Sequence, residues 1–185
     1  MGVADKILMK PGTRAPEFKN LPGVDGKNHS LPDFAKSPVL AVIFSCNHCP
    51  YVQAYEDRIM ALQAEFKDKG VQFVAINAND ATGYPEDSFD NMGKRAKEKK
   101  FNFPYLRDES QEVAKAYGAT HTPHLFVFDS NRELIYTGKI DDNWQEPKQV
   151  KRQYLREALQ ALVEGKKPPE RETFAIGCTI KWKRG

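Results

Sequence analysis

The chain has 185 residues, of which 40% are hydrophobic and 29% charged, a composition typical of a soluble globular protein rather than a disordered or membrane-embedded one. Its 28 basic and 25 acidic residues leave a net charge of +3, which is too balanced to indicate a nucleic-acid partner. No apolar stretch approaches membrane-spanning length, so we expect no membrane partner and a cytoplasmic location. The alternative is an export signal that the given sequence lacks.

Turn-forming residues dominate the chain up to about residue 37. The stretch LPGVDGKNHSLPDF, residues 21–34, contains two Pro, two Gly, two Asp and an Asn. Such a composition predicts one or two short hairpins rather than a helix. Four apolar residues are expected to anchor this extension on the core: Phe18, Leu21, Leu31 and Phe34.

A strand, a helix and a second strand are predicted next. The apolar run PVLAVIFS, residues 38–45, is typical of a buried central strand. After residue 50, apolar residues recur at helical spacing until Gly70 ends the helix: Val52, Tyr55, Ile59, Leu62 and Phe66. The run VQFVAI, residues 71–76, predicts a second buried strand. Two buried strands joined by a helix indicate a parallel βαβ unit.

The rest of the chain completes an α/β pattern. Residues 85–100 begin with Pro and acidic residues and end with basic ones, as a helix dipole favours. A shorter helix is expected at residues 110–118, and a final one at about 148–164. Between them, HLFVFD and ELIYTGKI flank a turn and predict an antiparallel hairpin. We therefore predict one domain over residues 1–185, with a mixed sheet, an N-terminal hairpin extension (1–37) and a C-terminal tail (166–185).

Two of the three cysteines form a Cys-x-x-Cys motif, FSCNHCPYV, between the first strand and the first helix. At a helix start, unpaired N–H groups and the helix dipole stabilise a thiolate. We expect Cys46 to attack a disulfide and Cys49 to resolve the mixed disulfide that forms. His48 lies between them and is expected to favour the Cys46 thiolate.

The order of strand, CNHC, helix, strand, helix and then HTPHLFVF resembles the thioredoxin fold. That fold has two signatures, a Cys-x-x-Cys and a distant cis-proline, and Thr122-Pro123 matches the second. The resemblance implies a thioredoxin-like fold with a central mixed sheet flanked by helices. It also implies that Thr122 and Pro123 lie beside the thiols and bind the substrate chain through exposed backbone.

The N-terminal extension and the stretch CPYV look like parts of the peroxiredoxins, the alkyl hydroperoxide reductase/thiol-specific antioxidant family. The resemblance is strongest to a peroxiredoxin-like group that keeps a Cys-x-x-Cys. In peroxiredoxins the second position of the motif is peroxidatic, which would make Cys49 the nucleophile. However, Cys46 replaces the family's Thr, Val42 replaces a Pro, and Pro123 lies about where the peroxide-polarising Arg is expected. These departures favour disulfide exchange over peroxide reduction.

Two questions remain for the sequence: whether two histidines help to bind a metal, and whether the third cysteine is structural. His121 and His124 flank the cis-proline and, with the motif cysteines, offer the nitrogen and sulfur ligands that zinc prefers. No second ligand pair occurs at familiar spacing, so no metal is expected. The third cysteine, Cys178, has no supporting motif and is predicted to be structural, with a third exchanging thiol as the alternative.

The proton acceptor for Cys49 is left open by the sequence. Thioredoxin has a buried Asp on its central strand, and Leu40 occupies that position here. Water, Asp80 and Glu56 are the candidates.

The predicted function is therefore that of a thiol–disulfide oxidoreductase. The alternatives are a peroxiredoxin-like peroxidase and a redox-sensing or metal-holding module. No organic cofactor is implied, because the cysteines carry the electrons themselves. The expected partners are protein or small-molecule disulfides and thiols, together with a thiol reductant that regenerates the pair.

Overall fold

The computed structural model describes residues 9–185. The first eight residues, where the predicted N-terminal extension begins, lie outside this part of the chain. The strands are β1 (Leu21–Pro22), β2 (Asn28–His29), β3 (Val39–Phe44), β4 (Val71–Asn77), β5 (Tyr105–Arg107), β6 (His121–Thr122), β7 (His124–Phe128), β8 (Leu134–Gly138) and β9 (Cys178–Thr179). The α-helices are α1 (Pro50–Phe66), α2 (Phe89–Lys99), α3 (Glu112–Tyr117) and α4 (Tyr154–Val163).

A mixed central sheet organises the described residues. Its strand order is β5-β4-β3-β7-β8. The strands β3, β4 and β5 run parallel, whereas β7 is antiparallel to both β3 and β8. This arrangement confirms the thioredoxin-like fold, the parallel βαβ unit and the β7–β8 hairpin that the sequence predicts.

Apolar side chains fill both faces of the sheet. On one face, Leu40 and Val42 of β3 join a cluster formed by the N-terminal extension and α3. On the other face, Ala41 and Ile43 of the same strand join a cluster formed by α1 and α4. Successive side chains of a strand point to opposite faces. A continuous apolar run is therefore what a strand covered on both faces requires.

The N-terminal extension forms the predicted hairpin. Strands β1 and β2 pair antiparallel, and the four predicted anchor residues are all buried against the core. No helix among residues 9–185 is both long and apolar enough to span a membrane.

Two predicted helix boundaries differ from the structure, and one strand of the central sheet was not predicted. The helix expected at 85–100 divides into a 3₁₀ turn, Pro85–Asp87, and α2, which Ser88 caps by accepting a hydrogen bond from the N–H of Asn91. The final helix begins at Tyr154 rather than near residue 148, because a 3₁₀ turn and a loop precede it. The three-residue strand β5 was not predicted, since it is too short to show a periodic pattern.

Candidate redox site

The Cys-x-x-Cys motif lies at the carboxyl end of β3, where the chain turns into α1. Cys49 is the N-cap residue of α1, and Pro50 is the first helical residue, a position that proline favours. The positive end of this 17-residue helix is therefore directed at Cys49. The sequence analysis expected the first cysteine, Cys46, to lie near the helix start; the structure places it three residues before the N-cap, and Cys49 itself is the capping residue.

Both motif cysteines are free thiols with almost no contact with solvent. Cys46 is 2% exposed and Cys49 is fully buried. With Val52 they form a small apolar cluster against which Tyr51 and the half-buried Cys178 pack. A disulfide partner in solution cannot reach either motif sulfur directly in this conformation.

Within the thiol pair, the pKa of Cys49 is lowered and the pKa of Cys46 is raised. A hydrogen bond from the Cys46 thiol lowers the pKa of Cys49 to about 4, against the opposing effect of burial. The thiol of Cys178 and the backbone N–H of Val52 lower it further. The same Cys46–Cys49 hydrogen bond, together with burial and the charge of Asp87, raises the pKa of Cys46 well above its ordinary value.

The Thr122–Pro123 peptide bond is cis, as the sequence predicts. The loop also lies beside the thiols. The Thr122 hydroxyl oxygen is 3.4 Å from Cys46 Sγ. The Thr122 carbonyl oxygen is 3.4 Å from Cys49 Sγ. The structure thus brings together Cys46, Cys49, Thr122 and Pro123, four of the predicted site residues.

The backbone of this loop is not exposed, contrary to the sequence expectation. Strand β9 of the C-terminal tail pairs antiparallel with β6, and Cys178 lies opposite Thr122. Thr122 is only 2% exposed as a result. The chain's own tail therefore occupies the edge at which the resemblance predicted a substrate chain.

Cys178 contacts the redox pair directly. Its Sγ lies 2.7 Å from Cys49 Sγ. Burial, followed by the hydrogen bond to Cys49, raises the pKa of Cys178 to about 11. The structural role that the sequence favoured for Cys178 does not account for this contact, and no local pattern around residue 178 predicts it.

His48 faces a carboxylate that the sequence analysis missed. Its Nδ1 atom lies 2.6 Å from Oδ2 of the fully buried Asp87. The contact has ion-pair distance but not the directional geometry of a hydrogen bond. His48 also stacks on Tyr84, with ring centroids 5.9 Å apart. The influence of His48 on Cys46 stays a prediction.

Hydrogen bonds from three asparagines hold Asp87 in place. Oδ1 accepts from the N–H of Asn47 at 2.6 Å and from the side chain of Asn77 at 3.2 Å. Oδ2 accepts from the side chain of Asn79 at 2.9 Å. Asn47 belongs to the motif, so this buried network ties the turn between the cysteines to the end of β4. Such fully paired carboxylates are the rule for buried charges.

Neither candidate proton acceptor from the sequence lies at the thiols. Glu56 forms an ion pair with Arg95, and Asp80 accepts hydrogen bonds from the N–H groups of Thr82 and Gly83 in its own loop. A carboxylate oxygen of Asp87, in contrast, lies within 4.8 Å of Cys46 Sγ.

The structure does not assemble the zinc ligands considered from the sequence. His124 is buried, and burial lowers its pKa to about 3. Its ring bonds the Thr120 N–H and the Thr137 hydroxyl instead. Among residues 9–185, the one group with metal-ligand spacing is Cys46, His48 and Asp87. Three donors, two of which already pair with each other, fall short of the four-ligand shell typical of structural zinc.

The chain is similar in sequence and in structure to several known proteins. Residues 10–154 match the Redoxin family. An uncharacterized conserved protein from Geobacillus kaustophilus is 42% identical, with a TM-score of 0.90 over 97% of this chain and 95% of that one. A hypothetical protein from Sinorhizobium meliloti 1021 is 39% identical, with a TM-score of 0.88 over 96% and 97% of the two chains. The thiol-disulfide oxidoreductase ResA of Halalkalibacterium halodurans is 25% identical over 145 residues, 77% of each chain.

Proposed function

Because the chain belongs to the Redoxin family, we propose that its Cys46–Cys49 pair performs thiol–disulfide exchange with Cys49 as the attacking thiolate. The curated oxidoreductase relatives identify the chain as a thiol–disulfide oxidoreductase. The observation that carries the assignment of Cys49 is its position at the N-terminus of α1, with Cys46 donating a hydrogen bond to it. This role reverses the order of the two cysteines expected from the sequence.

The exchange proceeds in two steps. The Cys49 thiolate attacks one sulfur of a substrate disulfide, so the substrate S–S bond breaks, a mixed disulfide forms and one substrate thiolate leaves. Cys46 then loses its proton and attacks Cys49 Sγ, which releases the second substrate thiolate. The substrate has gained two electrons, and the protein holds a Cys46–Cys49 disulfide that an external thiol reductant returns to the dithiol.

Asp87 is the proton acceptor we propose for Cys46. It is buried beside the thiol, whereas Asp80 and Glu56 are engaged elsewhere. The timing follows from the electrostatics. Once Cys49 is consumed in the mixed disulfide, Cys46 no longer donates to a neighbouring thiolate, so its pKa is expected to fall and the second attack becomes easier.

Peroxide reduction is the weaker alternative. A thiolate at Cys49 matches the position of the peroxidatic cysteine in the resemblance. However, Cys46 and Pro123 stand where that family has the Thr and Arg that activate peroxide. At these two positions the chain therefore lacks the residues that activate peroxide in that family.

The substrates we propose are protein or small-molecule disulfides and thiols, with a thiol reductant as the regenerating partner. Both follow from the chemistry of a dithiol pair, which needs no organic cofactor. The cytoplasmic location stays a prediction.

We expect reduced wild-type protein to release two thiols from a disulfide such as oxidised glutathione for each chain oxidised. Peptide mapping of the acid-quenched product should show a Cys46–Cys49 disulfide. The Cys46→Ser/Cys49→Ser double variant keeps the fold's surface, the tail and Cys178; it is the matched control and should release at most one thiol per chain, through a mixed disulfide at Cys178. Equal thiol release by the double variant, or none by the wild type, would contradict the proposed function.

A further inference from the structure

We infer that Cys178 is a third redox residue, which forms a disulfide with Cys49 and passes exchange between the buried pair and external thiols. The inference rests on the proposed function, and it adds that Cys178 is the sulfur with which external thiols react. It follows from three observations: the contact between Cys178 and Cys49, the difference in exposure among the three thiols, and the way in which the tail is held.

Cys49 is the common neighbour of the other two cysteines. Its sulfur lies 2.7 Å from Cys178 Sγ, and Cys46 packs with it in the same small cluster of buried residues. A sulfur that contacts two others can pair with either one after a small movement. The arrangement therefore permits two alternative disulfides, Cys46–Cys49 and Cys49–Cys178.

Of the three sulfurs, that of Cys178 belongs to the most accessible residue. Cys46 and Cys49 are 2% and 0% exposed, whereas Cys178 is half-buried. The tail also covers the Thr122 backbone, where a substrate chain would otherwise pair. While the tail is docked, Cys178 is the sulfur through which an external thiol reaches the buried pair most readily.

Specific contacts hold the tail in this position on both sides of Cys178. Before it, a Cβ at Gly177 would collide with the Thr122 carbonyl group, so the close approach of the two backbones requires glycine. After it, the N–H of Ile180 donates to the Thr120 carbonyl oxygen at 3.0 Å. The side chain of Ile180 is 3% exposed, so it anchors the tail in the core.

A buried amide fixes the end of the tail. The Gln111 side chain donates to the carbonyl oxygens of Ala78 and Lys181, and it accepts from the N–H of Lys183. Gln111 is 1% exposed, and a buried amide with three hydrogen bonds is costly to leave unpaired. The position of Cys178 is therefore built into the fold.

The exchange through Cys178 balances as follows. Starting from a Cys46–Cys49 disulfide, the Cys178 thiolate attacks Cys49 Sγ, and Cys46 leaves as a thiol after taking up a proton. An external thiolate then attacks the accessible Cys178 Sγ of the new Cys49–Cys178 disulfide, and Cys49 leaves as a thiolate. A second external thiolate attacks the sulfur of the first, which forms the external disulfide and releases Cys178. The protein gains two electrons and the two external thiols lose them.

The low pKa of Cys49 favours its departure from the Cys49–Cys178 disulfide. A thiol of low pKa is the better leaving group in disulfide exchange, and the hydrogen bond from Cys46 lowers the pKa of Cys49 to about 4. Attack at Cys178 Sγ therefore expels the better of the two leaving groups in the Cys49–Cys178 disulfide.

The first test is disulfide mapping in the Cys46→Ser variant, which keeps Cys49 and Cys178. Mild oxidation with oxidised glutathione, followed by acid quenching, should yield an intramolecular Cys49–Cys178 disulfide. Cys46→Ala repeats the test with a smaller side chain. The matched control is Cys49→Ser, in which Cys46 and Cys178 remain and should form no comparable disulfide.

The outcomes separate this inference from the proposed function. If the wild type forms the Cys46–Cys49 disulfide while both Cys46 variants keep two free thiols, the role of Cys178 is overturned and the proposed function stands. If the wild type itself keeps all three thiols, the proposed function fails and this inference fails with it. A Cys46–Cys178 disulfide formed equally fast in Cys49→Ser would also overturn the inference.

A kinetic measurement gives an independent readout. Cys178→Ser should slow the reduction of the oxidised protein by glutathione by roughly tenfold or more, because external thiols lose the accessible sulfur. An unchanged rate would overturn the inference.

Discussion

Leaving Cys46 as the sole cysteine is expected to lower the rate of attack on a disulfide by roughly tenfold relative to leaving Cys49 as the sole cysteine. The comparison uses two matched variants, Cys49→Ser/Cys178→Ser and Cys46→Ser/Cys178→Ser. Both keep the tail and the surface of the protein, and in both the remaining sulfur is buried, so the reagent reaches it only when the site opens. Only the identity of the remaining sulfur differs.

The expected difference follows from the environments of the two sulfurs. Cys49 caps α1, so its thiolate keeps the favourable field of the helix after Cys46 has become serine. Cys46 loses its hydrogen bond to Cys49 in the other variant, but burial and the negative charge of Asp87 still raise its pKa. The thiolate is the attacking species in disulfide exchange, and the gain in thiolate fraction from a lower pKa exceeds the accompanying loss of nucleophilicity while the pKa of the thiol stays above the ambient pH.

The measurement is the rate of covalent capture of a chromogenic disulfide reagent by each variant at neutral pH. Intact-mass analysis should show one adduct on Cys49 in the variant that keeps it. Faster capture by the variant that keeps only Cys46 would contradict the account and restore the order of attack expected from the sequence.

Replacing Asp87 by alanine is expected to lower the free energy of unfolding by about 3–5 kcal/mol. The variant leaves the N–H of Asn47 and the side-chain amides of Asn77 and Asn79 without their buried acceptor. It also leaves His48 without its ion-pair partner. Each unpaired buried polar group carries its own desolvation cost.

Asp87→Asn is expected to cost less, about 1–3 kcal/mol. Both carboxylate oxygens face donors, so the amide nitrogen of asparagine would meet a donor whichever way it is turned. The matched control is Asp90→Asn on α2, where the carboxylate is 80% exposed and pairs with Lys94. Such a surface change is expected to stay within about 0.5 kcal/mol.

Urea denaturation of the reduced proteins at constant pH measures these differences, provided the slope with denaturant is unchanged. A free energy of unfolding for Asp87→Ala within about 1 kcal/mol of wild type would show that the buried network does not hold the site together.

The same variants test the electrostatic role of Asp87. The charge of Asp87 is one cause of the raised pKa of Cys46, so the pKa should fall in Asp87→Asn.

Much of the fold could be predicted from the sequence because it depends on local patterns. The apolar run of β3, the helical spacing of α1 and the turn between β7 and β8 each need only a few neighbouring residues to be recognised. The start of α2 could not be placed in this way. Asp87 precedes that helix because its side chain turns into a network with Asn77 and Asn79, and such distant partners leave no periodic signal.

The sequence does carry a signal for which of the two motif cysteines lies at the start of the helix. Proline is favoured at the first position of a helix, so Pro50 indicates that Cys49 is the N-cap. The role of Cys178 had no comparable signal. Its contact with Cys49 spans 129 residues and depends on the pairing of β9 with β6, two strands of two residues each. Strands of that length show no alternation that a sequence pattern can detect.

The most direct test of the account is a titration of thiolate ultraviolet absorbance in the fully reduced protein, which requires no reagent to reach the buried sulfurs. A hydrogen bond from Cys46 lowers the pKa of Cys49 to about 4, so one thiolate should appear around that pH. The step should vanish in Cys49→Ser and persist in Cys46→Ser, where the serine hydroxyl still donates. If the wild type forms its first thiolate only near the ordinary thiol pKa of about 8.5, or if the step survives in Cys49→Ser, Cys49 is not the attacking thiolate.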